Sequence, residues 1–323
     1  MVSLGSTGGW RAADQELRAA LERAGASVRL VQAQPPPELR TLAATDLAWA
    51  LAARRAARAV ESAPAVVYCS ITAALLWRRP GAIRFDTLAR ENRPGRHGLW
   101  QRPVERLRLR QAPLLIPMAE GTQLPPTVPA VTVPVAVERS GPEPARREIA
   151  AITYGANPRK KGIARVVEAF ARVARPGEQL LIAGCEQVEL ERAGIDLAPG
   201  VEVVGRLPRD RYRELLRRCR VYICAPERED YGIAQLEALA DGCQLVTTPA
   251  PGPYPALALA SQLDRRLVGN DLARGLRAAL DSPKPDYARR AERLLAPFSP
   301  ATVQAVVAAK LLPALAEAAA GRR

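Results

Sequence analysis

Short apolar runs alternate with stretches of helical spacing along the whole chain. In the first half, 27–31, 66–69, 82–86 and 113–117 read as strands, and 11–24, 43–61 and 99–111 as helices. Proline-rich loops at 34–38 and 124–134 punctuate this half. After residue 148 the pattern restarts, with strands at 149–154, 179–183, 201–204, 221–224 and 243–247. Helices fall at 163–173, 209–218 and 272–280, and a further one begins near Gly232. Strand–helix alternation of this kind predicts an α/β protein of doubly wound parallel sheets. Residues 138–147 are polar, with two prolines and a glycine, and read as a linker. The expected domains are therefore 1–140 and 147–297, with 298–323 a terminal helix packing back across them. Its Ala-rich part, 301–320, is interrupted by Gln304, Lys310, Pro313 and Glu317, which makes it amphipathic rather than membrane-spanning. Ligands of such sheets bind beyond the carboxyl ends of the strands, here at a cleft that both domains are expected to face.

The same periodicity singles out one side chain. In the helix after Gly232, the apolar residues are Ile233, Leu236, Leu239 and Ala240, and Glu237 stands at the edge of their face. A carboxylate there is costly unless something pairs with it, and the hydroxyls of a ribose would do so. Glu229 lies just outside the helix, and Asp230-Tyr231-Gly232 bring the first-turn amides of Ile233 onward toward the cleft side. An acidic helix N-cap region accounts equally for Glu229 and Asp230, but not for Glu237.

Composition adds size and sign. With 323 residues and 48% apolar content the chain is long enough for two cores, and 4% aromatic content makes them Leu, Val, Ile and Ala cores. The net charge is +14, and every cation other than Lys160, Lys161, Lys284 and Lys310 is arginine. Either an Arg-rich coding bias or attraction to anionic partners explains this. Cys69, Cys185, Cys219, Cys224 and Cys243 form no CxxC pair and His97 is the only histidine, so no metal site is expected. Scattered cysteines and no signal-peptide pattern point to a reducing, cytoplasmic location.

Three further pieces look able to hold an anion or a base. Arg159-Lys160-Lys161-Gly162 puts three cations at a helix start, where the dipole disfavours them unless a diphosphate is bound; a solvated surface run is the alternative. Gly8-Gly9, within Gly5-Ser6-Thr7-Gly8-Gly9-Trp10 before a helix, offers free amides or forms a simple tight turn. Gly205-Arg206 ends a strand, where the glycine leaves room for a flat base or makes an ordinary turn. The proline-rich loop 248–255 is placed to wall the cleft.

These motifs carry a family resemblance. Residues 149–282 resemble the donor-binding domain of the large retaining GT-B glycosyltransferase family that includes sucrose synthases and bacterial mannosyltransferases. Two glutamates separated by seven residues, Glu229 and Glu237, enclose Asp230-Tyr231-Gly232-Ile233, and Lys161-Gly162 and Gly205 match the accompanying turns. The resemblance implies a GT-B fold and transfer of a sugar from a nucleotide-diphosphate sugar, UDP- or GDP-linked, with no cofactor or bound metal. It implies that Glu229 and Lys161 are catalytic, Glu229 meeting sugar hydroxyls and Lys161 the departing diphosphate. Glu237 would bind the ribose, with Gly8, Gly9, Tyr231, Gly232 and Ile233 sharing the phosphate charge. The chain departs from the family in two places. An arginine usual five or six residues before the lysine is Gly155 or Ala156 here, leaving Arg159 or Lys160 to supply that charge. Asp230 replaces the first glycine of the glutamate turn.

In the first half, Asp86 ends a strand, and Asn92 and His97 follow in an Arg-rich loop; these three are the candidate acceptor or sugar contacts. Arg102, Arg106, Arg108 and Arg110 form a basic strip suited to an anionic or lipid-linked acceptor and to peripheral contact at the inner membrane face. Two other functional classes stay open: a non-catalytic nucleotide-sugar-binding subunit of the same fold, and a nucleic-acid-binding protein. Few aromatics and no known binding module disfavour nucleic acid.

Overall fold

The computed structural model describes residues 1–321; positions 322 and 323 of the expected terminal helix lie outside the described residues. The chain forms two compact units, one of residues 1–136 together with 297–321, the other of 137–296.

Unit 1 holds a parallel sheet of β1 (Val2–Ser3), β2 (Val31–Gln32), β3 (Val67–Tyr68), β4 (Ala82–Phe85) and β5 (Leu115–Pro117), in the order β2-β1-β3-β4-β5. The first strand was not foreseen. It is nonetheless central, pairing with β2 on one side and β3 on the other. The proline-rich stretch after 124 is more ordered than a loop. Val131 N bonds Leu115 O and Val133 N bonds Pro117 O, so the chain runs beside β5 as far as its prolines permit. The run from Pro300 to Ala320 has the length and composition of a membrane span, but its Val303, Val307, Leu311 and Leu315 are buried with Leu17, Leu21, Leu114 and Ile116 in the core of this unit. The terminal segment is thus part of unit 1's own core.

Unit 2 holds β6 (Ile149–Tyr154), β7 (Leu180–Ala183), β8 (Val201–Gly205), β9 (Cys219–Cys224) and β10 (Gln244–Thr247), in the order β10-β9-β6-β7-β8, all parallel. Strand order reverses between β6 and β9, and ligands of such sheets bind beyond the carboxyl ends of the strands at that place. Residues 138–147 are less of a linker than their composition suggests. Ser140 N and Oγ bond Asp241 Oδ1 at 2.8 and 2.9 Å, and Arg147 reaches the carbonyls of Cys219 and Asp241, so the segment is fastened to unit 2. All five cysteines are free and buried, as small core residues.

Candidate functional site

The loops that leave β6 and β9 meet at the backbone. Gly162 ends the first with φ +64, and a Cβ there would lie 1.9 Å from Ala225 O, the first carbonyl after β9. Only glycine permits that approach. Glu227 N bonds Lys160 O at 3.0 Å and closes the staple. Gly162 also caps helix Ile163–Ala171, and Gly232, at φ +86, caps helix Ile233–Ala240. Neither glycine offers a side-chain cap; Ile163 N bonds Pro158 O at 3.0 Å, and the two helix N-termini after this pair of strands are otherwise without a side-chain acceptor at the cap. Each carries partial positive charge.

The loop after β10 grips the second of these from behind. Glu229 N bonds Pro251 O at 3.1 Å, and a Cβ on Gly252 would fall 2.1 Å from Glu229 O. Tyr254 is buried, its hydroxyl 3.0 Å from Thr247 Oγ1 and its ring against Gly232. The proline-rich segment 248–255 therefore braces the backbone of Glu229.

Side chains complete the site. Glu229 is 5% exposed. Lys161 Nζ lies 2.6 Å and Gln235 Nε2 2.8 Å from its Oε2, while Oε1 takes no hydrogen bond from any described residue. Beside it, Lys160 Nζ and Arg228 Nε bond the two oxygens of Asp230 at 2.8 and 2.7 Å. Burial alone would raise the Asp230 pKa, but Lys160 and Arg228 outweigh it and hold this carboxyl below its ordinary range. Lys160 and Lys161 are therefore paired with the acidic residues of the facing loop rather than forming a bare cationic run. Arg159 is exposed and its side chain has no partner among the described residues.

Glu237, 6% exposed, has the partner that its position demands, and that partner lies within the protein. Arg209 reaches its Oε1 at 2.8 and 3.1 Å and Arg213 at 3.4 Å, from one face of helix Arg209–Arg218. Arg213 also bonds the fully buried Asp241 at 2.5 Å and the carbonyl of Glu138. A ribose is no longer required to explain the position of Glu237, although the side chain of Arg209 is half-exposed and able to yield. The sequence held a signal for this pairing. Arg213 sits among Tyr212 and Leu216 on a buried face, as Glu237 does on its own helix.

Gly205 differs too: Glu186 stands over it, both carboxylate oxygens 3.3 Å from where a Cβ would be, and Arg206 pairs with Glu189 at 2.7 Å. Tyr231 is buried, and Ile233 opens its helix. Gly8 and Gly9 begin helix Gly8–Arg23 in unit 1, where Thr7 Oγ1 accepts from Trp10 N. Asp86 is at the end of β4, its Oδ1 accepting from Thr87 N at 2.7 Å. Asn92 ends helix Ala89–Asn92, and His97 is exposed on the turn Gly95–Gly98. Gln235, Arg228, Arg209 and Arg213 are the site residues that sequence reasoning did not find.

Residues 138–292, nearly the whole of unit 2, match the family described as glycosyl transferases group 1. No curated protein matches the chain by sequence. Among solved structures, Anabaena Alr3699/HepE in complex with UDP and glucose superposes with a TM-score of 0.68 at 14% identity, covering 96% of this chain and 97% of that one. WaaG, a glycosyltransferase involved in lipopolysaccharide biosynthesis, gives 0.66 at 16% identity over 99% and 97% of the two chains. Sucrose-phosphate synthase from Thermosynechococcus elongatus gives 0.65 at 17% identity over 97% and 95%.

Proposed function

We propose that this chain, whose residues 138–292 match the glycosyl transferases group 1 and whose two units have the GT-B fold, is a retaining transferase that uses a nucleotide-diphosphate sugar. The observation that carries the donor reading is the junction of β6 and β9. Two helix N-termini without side-chain caps and the side chains of Lys160 and Lys161 belong to one pair of loops. Amides and ammonium groups together make an anion site. A diphosphate entering it would take over Lys161, leaving Glu229 with Gln235 as its fixed donor and both oxygens open to sugar hydroxyls.

In this reading Lys161 and the amides of Ile233 and Ala234 stabilise the negative charge that grows on the leaving diphosphate. Charge placed in advance in this way usually accounts for most of an enzyme's rate enhancement. Lys160, held by Asp230, supplies the second cation, and Arg159 a third from solvent. Glu237 meets the ribose after Arg209 moves aside. Retention and independence from metal rest on the family likeness. HepE with UDP and glucose supports a uridine donor by analogy of fold, with GDP-linked sugars the other choice.

The test is to incubate the chain with UDP- and GDP-linked sugars. Release of the nucleoside diphosphate is followed, along with the anomeric configuration of the released or transferred sugar by NMR. An α-linked donor should give an α product. Lys161→Ala and Glu229→Ala should each lower turnover about a hundredfold or more with the fold intact. An inverted product removes retention. Binding without any turnover favours the second reading, a non-catalytic nucleotide-sugar-binding subunit.

A further inference from the structure

Large apolar side chains exposed to solvent are unevenly shared. Leu39, Leu42, Leu47, Leu51, Leu99 and Leu107 all belong to unit 1, against Val188 alone in unit 2 among the described residues. They fall in two stretches that the fold joins. Trp100 Nε1 bonds Ala43 O at 3.2 Å, and Arg93 and Gln101 both bond Asp46, fixing the start of helix Gln101–Gln111 against helix Leu42–Ala56.

Leu99 and Trp100 already have helical backbone angles, so Leu99, Pro103 and Leu107 follow one another at four-residue spacing along one line of helix Gln101–Gln111. All three are exposed, and Arg106 and Arg110 flank them on the same outward face. The basic strip seen in the sequence therefore divides. Arg102 is turned back onto the carbonyls of Gly95 and Gly98, and Arg108 onto Leu75 O and the ring of Trp77, 5.1 Å away. Those two hold the unit together, and the outward pair borders an apolar ridge.

Between Arg90 and Gln111 the sequence carries seven arginines and two glutamates, one of which, Glu105, is buried. A second copy of this face would bring like charge against like. Nucleic acid would use the arginines and leave the leucines in water. A surface of anionic phospholipid takes both, its headgroups meeting guanidinium and its acyl boundary meeting the leucines. We propose that the Leu99–Pro103–Leu107 ridge and its flanking arginines dock unit 1 on an anionic membrane surface. A chain held there reaches acceptors carried in or on the bilayer. The ridge lies wholly in unit 1, so its role is independent of the donor site.

The test is co-sedimentation of the full chain with vesicles of phosphatidylcholine, with and without phosphatidylglycerol. Binding is expected only with phosphatidylglycerol, falling with salt. Arg106→Ala and Arg110→Ala should each weaken it about fivefold. Leu99→Ser with Leu107→Ser should weaken it about tenfold or more even at low salt, with nucleotide binding unchanged. All four positions are exposed, so the variants should fold, which circular dichroism checks. Three results would overturn the proposal: no vesicle binding, binding that survives Leu107→Glu, and a sedimenting dimer that Leu107→Glu disperses.

Discussion

Lys161 and Gln235 donate to the same oxygen of Glu229, and this sharing defines what each contributes. In the proposed reaction the lysine leaves for the incoming phosphate, while the buried amide stays. Gln235→Leu should therefore lower kcat about tenfold while KM for the donor moves little, because an orientation is lost rather than a binding group. The thermal midpoint should hardly change, since Gln235 Oε1 is a buried acceptor with no partner whose removal offsets the loss. A second residue-scale outcome concerns Glu105 in unit 1. Burial pushes its pKa up to about 7, against the opposing pull of the Ala89 amide, Arg90 and Arg93. A carboxyl raised in the folded state holds a proton that the unfolded chain releases near its ordinary value. Its contribution is then fully present at pH 4 and lost as pH climbs to about 7, a change of about 3 kcal/mol. Glu105→Gln should abolish that loss. Its advantage over the parent, measured by urea unfolding at pH 5 and pH 8, should be small at the lower pH and near its full size at the higher.

Elements were legible where periodicity runs long enough. The strands of unit 2 and the helices after Gly162 and Gly232 fall within a residue or two of their expected places. β1 was not legible, and neither were contacts between elements. The pairing of Glu237 with Arg209 and Arg213 joins two helices 24 and 28 residues apart, and Asp241 reaches back 101 residues to Ser140. Local spacing says that Glu237 needs a partner without saying which. The turn glycines were visible as motif residues, but their reason is an approach between loops that one strand alone cannot reveal. Gly162→Ala tests that reason. It forces φ +64 on a residue with a Cβ and sets that carbon 1.9 Å from Ala225 O. The expected cost is about 3 kcal/mol or more, with nucleotide binding lost, read by chemical unfolding and titration.

Over the whole molecule, each unit has its own sheet and core, and the last described residues complete the first unit rather than the second. A chain ending at Ala296 should lose amide protection throughout unit 1, where Val303, Val307, Leu311 and Leu315 leave a cavity. Protection of the unit 2 strands should persist, as measured by hydrogen exchange. The division also assigns roles. The proposed anion site and both glutamates lie in unit 2, within the part that matches the group 1 glycosyl transferases, and the basic apolar ridge lies in unit 1. The central claim is that the β6–β9 junction binds a nucleoside diphosphate, and calorimetric titration of UDP and GDP into the parent chain and Lys161→Ala tests it most directly. At least one nucleotide should bind the parent, and about tenfold or more weakly to the variant. Failure of both to bind, or equal affinity for parent and variant, would contradict it.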